Sequence, residues 1–69
     1  MPISMANTGE TMTIRRVGGS EKVRQHLAEL GFTPDTDVTV MNKVGGSVIV
    51  MVRDCRVALD REMANKIMV

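Results

Sequence analysis

The stretch LAELGFTPDTDVTV, residues 27–40, contains two different hydrophobic periods within fourteen residues. Leu27 and Leu30 are three residues apart, as on one face of a helix, whereas Val38 and Val40 alternate with polar residues, as in a half-buried strand. The change of period predicts a helix that ends and a strand that begins here, with a sharp corner between them.

Three residues of this corner have restricted or unusual backbone preferences. Gly31 follows the helical pattern, where a residue of positive φ commonly ends a helix. Pro34 and Asp35 fit the two central positions of a type II turn, in which Asp35 also needs a positive φ that aspartate tolerates. We therefore interpret Leu27, Leu30, Gly31, Pro34 and Asp35 as a structural corner that directs the helix end into the strand.

Upstream of the corner, the sequence predicts one short amphipathic helix. Ser20 is a good N-cap, and Glu21 places a negative charge in the first turn. Val23, Leu27 and Leu30 fall at i, i+4 and i+7, so we expect all three on the buried face, with Gly31 closing the helix.

The rest of the chain predicts short strands. Residues 37–43 and 48–53 form a hairpin around Gly45 and Gly46. Residues 12–17 form a strand with a bulge near residues 15–16 that returns Val17 to the inner face. Residues 56–59 follow as a strand, with Val57 and Leu59 pointing inward, then one helical turn capped by Asp60 and a final short strand over 67–69. The fold class predicted is mainly β: a small, partly open barrel of about five strands with one short amphipathic helix and a one-turn C-terminal helix.

Composition narrows the function classes. At 69 residues the chain predicts one domain, 1–69, with 43% hydrophobic and 25% charged residues. Both charge signs are scattered, the net charge is +1, and Phe32 is the only aromatic residue, so no nucleic-acid platform is expected. A single cysteine allows no internal disulfide and no apolar run could span a bilayer, which predicts a cytoplasmic protein without membrane insertion.

The corner also resembles a known signature. LAELGFTPDTDVTV is similar to L-x-E-L-G-[LFM]-x-P-G-x-x-V-x-V of the ferrous iron transport protein A family, the FeoA domain. The opening residues 3–4 and 9–10 and the closing Arg56-Val57-Ala58-Leu59 resemble that family too, so the similarity covers the whole chain. Asp35 and Asp54 stand where the family usually has glycine, which supports a positive φ at both. Residues 46–49, GSVI, replace a usual G-D-P-I, so the hairpin tip lacks a fixing proline.

The resemblance implies an SH3-like barrel and a non-enzymatic role. Members of the family are small cytoplasmic accessories of a membrane ferrous-iron transporter, FeoB, whose cytosolic part carries a GTP-binding domain. The implied function is to bind this transporter and regulate or stabilise it in iron uptake, with no cofactor. The same domain type is fused to iron-dependent repressors, so the alternative is a regulatory domain that binds Fe(II) or Mn(II) directly.

Residues that could carry chemistry are few. His26 and Glu29 are spaced i, i+3 on the helix and could share an ion, but one imidazole and one carboxylate make an incomplete shell. Cys55 lies on a distant turn without a base nearby. Gly18-Gly19 and Gly45-Gly46 both lack the spacing and the following lysine of a phosphate-binding loop. We therefore expect no metal site and no catalysis, with His26 and Glu29 as the weak metal-binding alternative.

The remaining candidate site is the outer face of the predicted hairpin. Thr39, Met41, Ile49 and Met51 alternate with the inner valines, and Arg53 continues this outer side. Such an apolar cluster on a small monomer predicts a docking surface for the transporter or for self-association. The alternative is that the helix or the amino-terminal segment covers the cluster.

Overall fold

Six short strands form two antiparallel sheets in the computed structural model, which describes residues 1–69. The first sheet has the order β1-β3-β4-β5 and the second pairs β2 with β6. A 3-10 helix at Ile3–Met5 precedes the sheets, and six strands replace the predicted five or so. The elements are β1 (Thr11–Thr13), β2 (Arg16–Val17), α1 (Glu21–Glu29), β3 (Asp37–Val44), β4 (Ser47–Val52), β5 (Cys55–Asp60), α2 (Arg61–Ala64) and β6 (Ile67–Met68).

The predicted single strand over residues 12–17 is wrong, because the chain changes sheets in the middle of it. The Ile14 N–H donates to the Thr36 carbonyl at 2.9 Å, whereas the Arg15 N–H donates to the Met68 carbonyl at 2.7 Å. The polar side chains that interrupt the alternation are thus accommodated by a switch of strand partner rather than by a bulge. Val17 still packs against the core, as expected.

Helix α1 begins and ends as the sequence predicts, but one of its apolar residues was misplaced. Ser20 Oγ accepts the Val23 N–H at 3.3 Å, and Gly31 has a φ of 106°. The Phe32 N–H reaches the Leu27 carbonyl, which is the bond of a Schellman motif, and both side chains are buried. Leu30 is 38% exposed and does not belong to the core, because Phe32, folded back beyond the glycine, supplies the hydrophobic contact instead.

The corner after α1 has the predicted turn. Asp35 has a φ of 70°, and the Thr36 N–H donates to the Thr33 carbonyl at 3.2 Å across the turn. The Asp35 N–H donates to the Ile14 carbonyl at 2.8 Å, which ties the corner to the end of β1. The backbone expectation at Asp35 is therefore confirmed.

Two-residue turns close both hairpins of the larger sheet. Asp54 has the predicted positive φ, 63°, and Arg53 also has one, 50°, which the sequence did not indicate. Two consecutive residues of positive φ between Val52 and Cys55 form a type I′ turn. At the other hairpin, Gly45 alone of the glycine pair has a positive φ, 59°.

The core lies on one side of the larger sheet. Val38 and Val40 of β3, and Val48, Val50 and Val52 of β4, point into a cluster of thirteen buried hydrophobic residues. The 3-10 helix, α1 and α2 contribute to the same cluster through Ile3, Leu27 and Ala64. Asp60 Oδ1 accepts the Met63 N–H at 2.7 Å and begins α2, as predicted. All three helices are therefore anchored on the inner side of this sheet.

Candidate docking face

The outer face of the larger sheet carries two rows of side chains set by the strand register. In the first row Thr39 of β3 lies opposite Met51 of β4, and Met51 lies opposite Arg56 of β5. In the second row Ile49 of β4 lies between Asn42 and Ala58. Directly opposite residues on one face have Cβ atoms about 5 Å apart, so each row is a continuous strip of contacts.

A β-bulge places Met41 on this face. The register between β3 and β4 shifts between Val40 and Asn42, so Met41 and Asn42 together oppose Ile49. Met41 is 38% exposed, whereas Ile49 and Met51 are half-buried. The alternation in the sequence assigned Met41 to the correct side of the sheet, but it gave no sign of the extra residue. The bulge brings Met41 beside Ile49, and we call Met41, Ile49 and Met51 the outer apolar patch.

The elements predicted as an alternative cover for the patch lie on the other side of the sheet. The buried side chains of the amino-terminal segment and of α1, Ile3 and Leu27 among them, are packed with the inner valines. Neither Ile49 nor Met51 is among the partly buried hydrophobic residues that pack against this core. A hydrogen bond between the hydroxyls of Thr11 and Thr39, 2.8 Å long, adds a polar margin at the β1 end of the patch.

Arg53 does not extend the strip of side chains on this face. It occupies the β4–β5 turn, and its aliphatic stem lies against the corner: a Cβ atom built on Gly31 would be 3.2 Å from Arg53 Cδ. Lys43, another basic residue near the hairpin, donates from Nζ to the Ser4 carbonyl at 3.0 Å. The cation nearest the patch is instead Arg56, which is exposed beside Met51.

The predicted metal-binding alternative remains two residues on a solvated helix. His26 and Glu29 are both exposed on α1. No group of three or more His, Cys, Asp and Glu side chains is arranged to hold a metal ion. Cys55 is an exposed free thiol at the first position of β5.

Arg56 and Ala58 are outer-face residues of β5 that the predicted site did not include. Alternation with Val57 and Leu59 indicated that both point outward. Their position beside Met51 and Ile49 depends on the register between β4 and β5. That register follows from the two-residue turn at Arg53 and Asp54. An arginine does not indicate a positive φ, so the sequence contained no sign of this turn at Arg53.

Comparison with known proteins identifies the domain. The sequence profile of the FeoA domain matches residues 1–69. The chain belongs to the FeoA domain family. This family takes part in iron uptake. A comparison with curated proteins finds no sequence match.

Solved structures agree on the fold. A crystal structure described as an iron uptake regulatory protein (FeoA) is 26% identical, with a TM-score of 0.92 over 100% of this chain and 93% of that one. The solution structure of the FeoA protein from Chlorobium tepidum is 21% identical, with a TM-score of 0.90 over 99% of this chain and 67% of that one. A manganese-dependent transcriptional repressor is 20% identical, with a TM-score of 0.88 over 97% of this chain and 39% of the repressor. The expected SH3-like fold is thus confirmed.

The helices of this FeoA domain are short. The longest helix, α1, has nine residues. None of the helices has the length and apolar character needed to cross a bilayer.

Proposed function

We propose that this FeoA domain is a cytoplasmic accessory protein that binds the cytosolic region of a FeoB-type ferrous-iron transporter and regulates or stabilises it in iron uptake. Thr39, Met41, Ile49 and Met51 form the contact face, with Arg56 beside Met51 at its margin; Arg53, which was predicted from the sequence as part of this face, lies against the corner instead. The observation that carries the proposal is the outer apolar patch, which lies on the side of the sheet opposite the core.

The patch has the make-up of a protein contact. Three adjoining apolar side chains are flanked by Thr39 on one side and Arg56 on the other. An apolar centre with a polar margin is typical of interface cores and their rims. Three side chains form a small surface, which suits the reversible association expected of a regulatory partner rather than a permanent complex.

Contact, rather than catalysis, is the activity that these residues support. The sole histidine, His26, is on α1, while the sole cysteine, Cys55, begins β5 and neither is buried. A nucleophile needs a base within hydrogen-bond reach, and the patch itself holds thioethers and an isoleucine, which transfer no protons. Iron is then the cargo of the transporter and not a ligand of this chain.

Binding of labelled protein to the cytosolic region of the transporter, followed by amide NMR, tests the contact face. We expect shifts to cluster on residues 39–53. Met41→Glu and Met51→Glu each place a carboxylate in the apolar centre, and we expect each to weaken binding by about tenfold or more. Burying a carboxylate under the partner costs several kcal/mol, and for Met51→Glu this desolvation cost remains even if the new side chain pairs with Arg56.

Met5→Glu is the matched control for these variants. Met5 is also an exposed methionine, 67% exposed, but its 3-10 helix packs on the inner side of the sheet through Ile3. We expect this variant to bind as the wild type does. Equal affinity of the wild type and the Met51→Glu variant, with both folded, would remove the outer face from the contact. Shifts confined to α1 would assign the contact to another surface.

A further inference from the structure

Strand β5 is an edge of the larger sheet with its own pattern of free backbone groups. A two-residue hairpin makes Val52 and Cys55 a hydrogen-bonded pair, and bonded pairs then recur at every second residue. Cys55, Val57 and Leu59 therefore bond to β4, whereas the N–H and C=O groups of Arg56 and Ala58 point away from it. No hydrogen bond outside the ladders engages the backbone of either residue. An unpaired edge of this kind is a template for another strand.

The charged residues along this edge would match those of a second copy of the same strand. Arg56 and Asp60 lie two residues to either side of Ala58, and both are exposed. If a second β5 runs antiparallel to the first with Ala58 on the twofold axis, Arg56 of each copy faces Asp60 of the other. Opposite charges placed directly across a strand pair stabilise it. Asp60 Oδ1 already accepts the Met63 N–H, so the other carboxylate oxygen of Asp60 is the one that can accept from Arg56 of the second copy.

Burial along the edge is compatible with the same register. Val57 is only half-buried, although it packs on the core, because the edge leaves one side open. In this antiparallel arrangement the backbone of the second strand covers that side of Val57, whereas Leu59, only 3% exposed in its own core, adds little contact. Ala58, the smallest side chain on the outer row, meets its own symmetry mate and leaves room for the strands to approach.

We propose that two copies of this chain form a symmetric homodimer by antiparallel pairing of their β5 edges about Ala58. A second copy is the occupant, rather than an unrelated strand, because the same short edge presents both members of the ion pair with the symmetric spacing that a twofold axis requires. The dimer joins the outer rows of the two sheets through Ala58 and leaves Met41 accessible. It does not depend on the proposed transporter contact.

The dimer is expected to be weak and sensitive to salt. Only five residues of each strand, 56–60, are paired, so the buried area falls below that of a standard stable interface. Screening reduces the attraction between the exposed Arg56 and Asp60 side chains, so the association should weaken as ionic strength rises.

Sedimentation equilibrium tests this dimer directly. Protein from about 10 µM to about 1 mM should rise from the 7.6 kDa monomer towards twice that mass, since dimerisation follows mass action. Ala58→Pro removes the N–H that the two copies exchange, yet that N–H points away from β4, so the intramolecular ladder is kept. We expect this variant to have at least tenfold weaker dimerisation. A wild type of monomer mass throughout the range overturns the proposal, as does undiminished dimerisation of a folded Ala58→Pro variant.

Arg56→Asp provides a second variant that keeps the backbone intact. It places two acids opposite each other in both halves of the pairing, so dimerisation should again fall at least tenfold. Arg24→Asp makes the same change of charge on the exposed face of α1 and should leave dimerisation unchanged. Amide exchange gives an independent result: exchange at Ala58 should slow as concentration rises, whereas exchange at Val57, already bonded within the sheet, should not. Equal dimerisation of the Arg56→Asp and Arg24→Asp variants overturns this register.

Discussion

Substitution of Gly31 by alanine measures how much the corner contributes to stability. Gly31 has a φ of 106°, outside the regions that L-residues normally adopt, and its new Cβ would lie 3.2 Å from Arg53 Cδ and 3.6 Å from Val52 Cγ2. Backbone strain of this kind costs about 1–3 kcal/mol. The reduced entropy of the unfolded chain offsets about 0.4–1 kcal/mol of it. We expect Gly31→Ala to lower the free energy of unfolding by about 1–2 kcal/mol.

The other glycines separate backbone strain from contact. Gly45 has a positive φ, 59°, but no neighbour within 4 Å of its Cβ position, so Gly45→Ala reports strain alone. Gly46 has neither a positive φ nor such a neighbour, so Gly46→Ala should change stability by less than about 0.5 kcal/mol. The expected order of destabilisation is Gly31, then Gly45, then Gly46.

Urea and thermal unfolding of the three variants provide the measurement. A loss of 1 kcal/mol lowers the Tm of a domain of this size by about 4–8 °C, so the Tm of the Gly31→Ala variant should be about 5–15 °C below that of the wild type. When Gly31→Ala is introduced into an Arg53→Ala background, the loss of unfolding free energy should be reduced only by the smaller part that comes from contact with the Arg53 stem. If Gly31→Ala is as stable as Gly46→Ala, the corner does not require positive φ and our account of the turn is wrong.

Three further predictions concern the caps, the second hairpin and the metal alternative. In urea unfolding, Asp60→Ala should cost about 2 kcal/mol and Ser20→Ala about 1 kcal/mol. The reason is that the cap hydrogen bond of Asp60 is 2.7 Å long and that of Ser20 is 3.3 Å long. Equal losses would contradict this ranking. Asp54→Gly relieves a φ of 63° and should raise the Tm by a few degrees, and a lower Tm would show that the aspartate side chain stabilises the turn. Titration with Mn²⁺, followed by amide NMR, should give no selective, saturable line broadening around His26 and Glu29 at micromolar concentration, since two exposed ligands make an incomplete shell. Selective broadening that His26→Ala abolishes would establish a metal site.

Local backbone chemistry made the corner and the hairpins predictable. Gly31, Pro34 and Asp35 indicate their dihedral angles through their own steric limits, and Ser20 and Asp60 indicate helix starts through their side-chain oxygens. These preferences act within a few residues, so the sequence alone contains them. The helix end, both caps and the positive φ at Asp35 follow from them, whereas the positive φ at Asp54 was expected from the family resemblance, in which glycine is usual at that position.

Choices of partner between distant segments could not be predicted in the same way. The change of sheet at Ile14 and Arg15 depends on where the Thr36 and Met68 carbonyls lie, and no local pattern specifies that position. Leu30 has the helical spacing of a buried residue, but the Schellman turn places Phe32 in the core instead. The Met41 bulge likewise belongs to the pairing of two strands rather than to either one.

The residues of the corner also help to determine which face of the sheet remains open. The Schellman turn buries Leu27 and Phe32 together in the core, so the end of α1 is held on the inner side of β3 and β4. A helix anchored in this way cannot also lie across Met51 on the opposite face, because a single sheet separates the two. If the corner is loosened, α1 is no longer held on the inner side of the sheet, so partner binding can change although the residues of the outer apolar patch do not. On this reasoning, Gly31→Ala weakens the proposed association with the transporter only to the extent that it unfolds the domain or releases α1, and amide shifts on β4 would distinguish these two causes.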